Sequence, residues 1–391
     1  MSKVCFVSSP QGPEDSANRK HVEKYLDGAS IEQLAYGLYY APQPALTVDT
    51  EERVLDCNLA LDVLAGDLLN GHRDLQLDSW VQQLARHVTQ GTLLPETNGS
   101  AQTKCTLNVE GLGSVHLVGT QIVCGDRASN KTIGRIVTWE VIAADGKDWF
   151  HKKYRERRDQ QFTWDIYASS YDRVLNLMPY YREVVDRHRV ALTATAPGPL
   201  VDLGAGTGNL AEVLLISTDR PVTAVDNSRA MLDKLRSKSA LSAEIGKRLT
   251  VIEASAECLP IIGDGAFAGV SILLALFDMR APEQGLDTAV RILRPGGTLV
   301  VTELKRRFQL APILEECKRH LRAIGKYDEL AEDLHRIIKS NRQLAPGSLS
   351  RFRAESVLES LTARGFHDLS LVDSHFGQCA TVTGRKPGRT T

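Results

Sequence analysis

The sequence predicts an α/β protein in two parts: a smaller α+β module, then a larger domain with a parallel sheet. Three observations carry that reading. Between 199 and 304, five near-continuous apolar strand candidates alternate with helical segments, the pattern of a sheet covered on both faces. Between 45 and 143, short strand-like runs are separated by Gly-, Asn- and Pro-rich turns. Between the two lies a polar stretch, 145–165, with a basic cluster from Lys152 to Arg158, which predicts a connecting helix with a solvated face. A length of 391 residues accommodates this division.

The elements follow in order. Residues 1–20 are polar and read as a tail with one apolar patch, Val4–Val7. Ser30 is a candidate N-cap for a short helix that Pro42 and Pro44 end. ALTVD (45–49) and RVLDCN (53–58) predict a strand pair about a TEE turn. LALDVLAGDLL (59–69) has helical periodicity. So does 72–90, with Leu77, Trp80, Val81 and Leu84 on one face. TKCTLNVEG, SVHLVGTQIVCG and IGRIVTWEVIA predict three more strands. In the second half the strands are PLVDLGAG (199–206), VTAVD (222–226), LTVIEA (249–254), FAGVSILLAL (267–276) and TLVVTEL (298–304). HDLSLVDSHF (367–376) and QCATVTGRK (378–386) flank only Gly377 and predict an antiparallel edge hairpin. The predicted boundaries are a tail and helix over 1–44, the α+β module over 45–144, a connecting helix over 145–165 and the α/β domain over 166–391.

Composition narrows the function. Lys and Arg total 47 against 48 Asp and Glu, a net charge of −1, which disfavours electrostatic capture of DNA or an anionic membrane. The seven cysteines form no C-x-x-C pair, which argues against a metal site or disulfide framework and fits a reducing cytoplasm. The first twenty residues lack the apolar core of a signal peptide, and no apolar run approaches a membrane span of about 18–20 residues. A soluble cytoplasmic protein is expected.

The chemistry concentrates in Val201-Asp202-Leu203-Gly204-Ala205-Gly206-Thr207-Gly208-Asn209, set between a strand and a helix. Such glycines permit a tight turn and close approach of a ligand to backbone N–H groups at a helix start. A dinucleotide fingerprint would need Gly at 209, where Asn209 stands, and no G-K-[ST] follows to make a P-loop. The pattern is D-x-G-x-G-x-G. Asp226 ends the next strand, where a carboxylate can accept both hydroxyls of a ribose. ASAECLP (254–260) follows the third strand, and RILRPGGTLVV (291–301) joins a helix to a buried strand through a Pro-Gly-Gly turn.

With these four ordered motifs, residues 165–386 resemble the class I S-adenosylmethionine-dependent methyltransferases. The nearest likeness is to the small-molecule branch that holds the ubiquinone and menaquinone C-methyltransferases. The resemblance implies a Rossmann-like seven-stranded methyltransferase domain with S-adenosylmethionine as cofactor. It implies that Gly204, Ala205, Gly206 and Gly208 line the methionine and ribose part, with Asp202 near the amino group. Asp226 would bind the ribose hydroxyls, and Asn227 and Met231 would flank the adenine. Ala256 and Glu257 would sit at the adenine edge, with Ser255 where the family often has Asp. Leu274 would face the sulfonium. WDIYASSYDRV (164–174) resembles the segment that closes over the cofactor, with Tyr167 and Tyr171 as the candidates; both also read as core aromatics four residues apart. Cys258 reads as a small buried residue.

Methyl transfer needs alignment of a nucleophile with the methyl group, and a general base only where the nucleophile must lose a proton. No residue is singled out as catalytic. Glu303, Asp278, His320, His335 and His375 are the candidate bases, although a lone His at such positions is more often structural. Residues 305–353, helical and charged, are the expected substrate cap. Arg306, Arg307, Lys318 and Arg319 there suit either an anionic substrate or a solvated face.

Residues 45–143 resemble a PAS domain on Asp49, Arg53-Val54, Asn58, Leu64 and Gly66, and on the closing strand pair before and after Gly134. That implies regulation, sensing of a small ligand or homodimerisation. His72 and His87 are read as surface residues in preference to haem ligands. The reading is a methyltransferase acting on a small molecule. The rivals are an inactive S-adenosylmethionine-binding scaffold, or a methyltransferase acting on RNA or protein.

Overall fold

The structure is a computed structural model. It describes residues 24–26, 31, 38–39, 41, 43–58, 60–61, 63, 88–91, 94, 102–109, 113–126, 131–142, 144–238, 246–257, 259, 261–279, 281–347 and 352–388. The helix expected from Ser30 and the helices expected over 59–69 and 72–87 fall wholly or largely outside the described residues. So do Leu64, Gly66, His72, His87 and Cys258. The chain divides into two compact units, one of Met1–Leu61 with Arg73–Gly146 and one of Asp62–His72 with Lys147–Thr391.

The first unit is built on a mostly antiparallel sheet. Its strands are β1 (Lys24–Leu26), β2 (Ala45–Val48), β3 (Val54–Cys57), β4 (Val88–Gly91), β5 (Thr103–Val109), β6 (Gly113–Asp126) and β7 (Lys131–Val141). The order is β3-β2-β7-β6-β5-β4, with β1 added in parallel to β6. The β2–β3 turn is organised by Asp49, whose carboxylate accepts the Glu51 and Arg53 N–H groups and the Arg53 Nε at 2.7–2.9 Å. Buried Asn58 accepts the Ala45 and Leu61 N–H groups and donates to the Gln43 and Ala41 carbonyls. A neutral amide that bonds at every corner can be buried without cost. Val88–Gln90, expected at the end of a helix, form part of β4 instead. Val88 and Thr89 are β-branched, and Gly91 at φ 82° lets the chain lie against β5, because a Cβ there would overlap the Lys104 carbonyl.

The second unit holds the larger sheet. Its strands are β8 (Leu200–Leu203), β9 (Val222–Asp226), β10 (Leu249–Glu253), β11 (Phe267–Leu273), β12 (Leu293–Leu304), β13 (His367–Ser374) and β14 (Cys379–Arg385). They lie in the order β10-β9-β8-β11-β12-β14-β13. The first five pair in parallel, and β14 runs antiparallel to both β12 and β13. The strands at the centre are buried end to end: every residue of β8 and β11 is enclosed. This explains their near-continuous apolar runs.

The helices are α1 (Ala144–Leu175), α2 (Pro179–Thr193), α3 (Asn209–Ser217), α4 (Arg229–Ser237), α5 (Pro282–Ile292), α6 (Leu310–Ala323), α7 (Ala331–Gly347) and α8 (Ala354–Ala363). The connecting helix expected over 145–165 and the tyrosine-bearing segment after it are one element, α1. No Gly or Pro between Lys147 and Leu175 interrupts it. One core packs α1, α2, α3, α4 and α6 against one face of the sheet, through Val184, Leu192, Leu214, Leu232 and Leu321. Leu286, Ile292, Val357 and Leu361 fill the opposite face. Among the described residues no helix is long and apolar enough to cross a membrane.

Candidate active site

A cavity of about 240 Å³ opens at the carboxyl ends of the parallel strands. Chain order reverses there between β8 and its neighbours β9 and β11. In open α/β sheets that crevice is where ligands bind. Of the residues predicted for the site, Tyr167, Tyr171, Asp202, Gly204, Ala205, Gly206, Asp226, Asn227, Met231, Ala256, Glu257 and Leu274 all line it.

Gly208 does not line the cavity. It is the left-handed N-cap of α3, φ 77°, and a Cβ there would overlap Leu235 of α4. Its glycine is demanded by packing beneath the loop. Gly204, φ 74°, lies on the wall itself, where a Cβ would overlap that of Ala275. The loop is tied down from β9 and from α1. The Asp226 carboxylate accepts the Gly206 N–H at 2.7 Å and the Ser228 N–H at 2.8 Å. Asp172 accepts the Thr207 hydroxyl at 2.6 Å and the Asn209 amide at 3.0 Å.

Two carboxylates face the loop with contrasting bonding. Burial pushes Asp226 up to about 6, against the Ser228 and Gly206 N–H groups that hold it down. Asp202 is 2% exposed, and burial pushes it up to about 7. Its Oδ1 is buried with no hydrogen-bond partner. A buried orphan oxygen on a cavity wall is costly unless a ligand donates to it. Behind Asp202 lies a polar file enclosed by the sheet. Ser271 Oγ meets His188 Nδ1 at 2.9 Å, and His188 Nε2 meets Thr302 Oγ1 at 2.7 Å. Burial drives His188 down to about 3, so the ring is neutral.

Glu257 is buried, not solvated. It accepts the Ala281 N–H and the Ser255 hydroxyl. Glu303 is fully enclosed and absent from the wall. Burial pushes it up to about 8, and it accepts the Phe277 and Leu304 N–H groups, bracing the 3-10 turn at Leu276–Asp278. Asp278 lines the cavity and accepts the Trp164 indole N–H at 2.6 Å.

Helix α1 forms one side of the cavity with a single stripe: Arg157, Trp164, Tyr167, Tyr171 and Leu175. Gln161, on the same stripe, donates to the Asn227 carbonyl at 3.0 Å. Trp164, Tyr167, Tyr171 and Tyr181 form an edge-to-face series with centroids 5.0–5.9 Å apart. Tyr167 and Tyr171 are thus both core aromatics and wall. Sequence reasoning passed over Gln161, Tyr180, Tyr181, Phe308 and Ile313. The Tyr180-Tyr181 pair directly after Pro179 at a helix start was the available signal for two of them.

Residues 201–301 match the family described as a methyltransferase domain. Over 144 residues the chain is 34% identical to a demethylmenaquinone methyltransferase of Clavibacter sepedonicus, a match covering 36% of this chain and 56% of that protein. It is 29% identical over 140 residues to the ubiquinone/menaquinone biosynthesis C-methyltransferase UbiE of Legionella pneumophila, covering 35% and 55%. The chain spans about half the length of these curated relatives. Among solved structures, it is similar to an S-adenosylmethionine-dependent methyltransferase of Thermotoga maritima, a possible histamine N-methyltransferase. That match is 20% identical, covers 57% of this chain and 99% of the other, and has a TM-score of 0.39. Residues 201–301 of the chain thus carry a methyltransferase domain.

Proposed function

We propose that the protein transfers a methyl group from S-adenosylmethionine to a small-molecule acceptor. The observation that carries this is the orphan Oδ1 of Asp202 on the wall of the glycine loop, a fitting acceptor for the cofactor's ammonium group. Gly204, Ala205 and Gly206 would take the methionine and ribose part, with Gly208 shaping the loop from below. Asp226 would accept the ribose hydroxyls, Asn227 and Met231 would flank the adenine, and Ala256 and Glu257 would border its edge. Leu274 would face the sulfonium, with Tyr167 and Tyr171 closing over it. The bound cofactor supplies an electrophilic methyl group; the protein orients it and excludes water. An acceptor end walled by aromatic and apolar side chains supports a small molecule over a nucleic acid.

We read the first unit as a PAS-like regulatory, ligand-sensing or dimerising module. The β3-β2-β7-β6-β5 order and the Asn58 bonding support that reading. Native mass spectrometry with added S-adenosylmethionine tests the whole assignment. One bound cofactor per chain, and labelled methyl appearing on an acceptor, is the expected result. A chain that takes up no cofactor would overturn it.

A further inference from the structure

Resting on the methyl-transfer reading of the same cavity, one residue at its far end acquires a role. Of the charged wall residues, Asp202 and Asp226 lie at the ends of β8 and β9, Glu257 and Asp278 follow β10 and β11, and Arg157 stands on α1. Around the end of β12 and the starts of β14 and α6, the wall is Tyr180, Leu304, Phe308, Leu310, Ile313 and Cys379, with His375 set among them. Apolar and aromatic surroundings of this kind select a flat, uncharged ring.

His375 is placed there by an unusual backbone. The sequence predicts residues 375 and 376 as strand. Instead they turn left-handed, φ 47° and 59°, and make the 3-10 turn His375–Gly377 between β13 and β14. Non-glycine residues hold that conformation only where the surrounding structure imposes it. The turn aims the imidazole at the cavity, where it is 6% exposed and packs edge-on to Tyr180 at 5.0 Å. Its Nδ1 meets Ser374 Oγ at 3.2 Å, its only side-chain hydrogen bond among the described residues, and the ring lines the cavity with Nε2 not engaged by that bond. Burial holds the ring neutral, down to about 4, while Glu183 and Arg187 of α2 act on it in opposite directions. A neutral imidazole can accept a proton.

We propose that His375 is the catalytic base, and that the methyl acceptor is a flat, uncharged ring compound bearing an ionisable hydroxyl. The acceptor oxygen bonds to the methyl carbon as the carbon–sulfur bond breaks, and that bond's electron pair stays on sulfur. The hydroxyl proton passes to His375 Nε2 and leaves to solvent with the product.

His375→Asn tests this, because Asn tolerates the left-handed backbone. Two rings are compared with the full-length protein: 2-naphthol, protonated at about pH 7.5, and 2,4-dinitro-1-naphthol, already ionised there. The variant is expected to lose roughly a hundredfold or more in kcat/KM on 2-naphthol and only a few-fold on the ionised ring. In ¹⁵N-histidine spectra of the wild type with S-adenosylhomocysteine, one neutral ring nitrogen, absent from the variant, is expected to shift when 2-naphthol is added. Equal losses on both rings, no loss, or no nitrogen shift would overturn the inference. So would a wild type that methylates neither ring. In that last case, retained cofactor binding would leave the methyltransferase reading standing, and its absence would remove that reading too.

Discussion

At the scale of single residues, the site divides into groups that face a ligand and groups that hold them. Asp226 holds the loop, its oxygens accepting two backbone N–H groups, and in the proposed site it would also take the ribose hydroxyls. Asp226→Ala is expected to weaken cofactor binding at least about tenfold, from charge-assisted bonds of about 1.5–3 kcal/mol, with circular dichroism unchanged. Calorimetric affinity equal to the wild type would rule out the ribose role. Asp202 sets a pH dependence. In the proposed site the ammonium of the cofactor would need the ionised carboxylate, and burial holds this group near 7. Affinity is therefore expected to fall as pH drops below about 7, by up to tenfold per unit, until the bound-state pKa is passed. Asp202→Asn should weaken binding at neutral pH and move the onset of the remaining fall to about 6, where Asp226 titrates. An unchanged profile would take Asp202 out of contact.

At the scale of elements, α1 and the glycine loop decide how the cavity is closed. Trp164 and Gln161 bond to chain segments that follow β11 and β9. Trp164→Phe keeps the aromatic series and removes one bond to a carboxylate, worth about 1.5–3 kcal/mol. Stopped-flow release of S-adenosylhomocysteine is expected to quicken about tenfold; an unchanged rate would show that α1 does not latch the site. Gly208 tests packing in the same region. Gly208→Ala combines a left-handed backbone with overlap at Leu235, and should cost about 2–4 kcal/mol in urea unfolding of the second unit. Much of this scale was legible beforehand. The largely apolar runs predict β8 to β12, because a strand covered on both faces is mostly apolar, and the short link at Gly377 predicts the edge hairpin. The single long α1 and the left-handed turn at His375 were not. Helix continuation depends on the absence of breakers, and a turn's handedness on where β14 must dock.

At the scale of the whole molecule, the proposed cofactor site lies in the second unit. Saturation at about one hundred times Kd should stabilise that unit by about 2.7 kcal/mol. Hydrogen exchange should slow at 203–209, 226–231 and 254–257; slowing confined to 45–141 would place the ligand elsewhere. By itself the sequence determined the sheet-forming pattern, the D-x-G-x-G-x-G loop and the acid after the next strand. Those depend on local periodicity and on spacing within one strand–loop–helix unit. Only the tertiary structure separated Gly204 on the wall from Gly208 beneath it, enclosed Glu303, and brought His375 from the far hairpin to the cavity. Those outcomes depend on which elements meet across the sheet, and that is decided by strand order and packing between residues far apart in the chain.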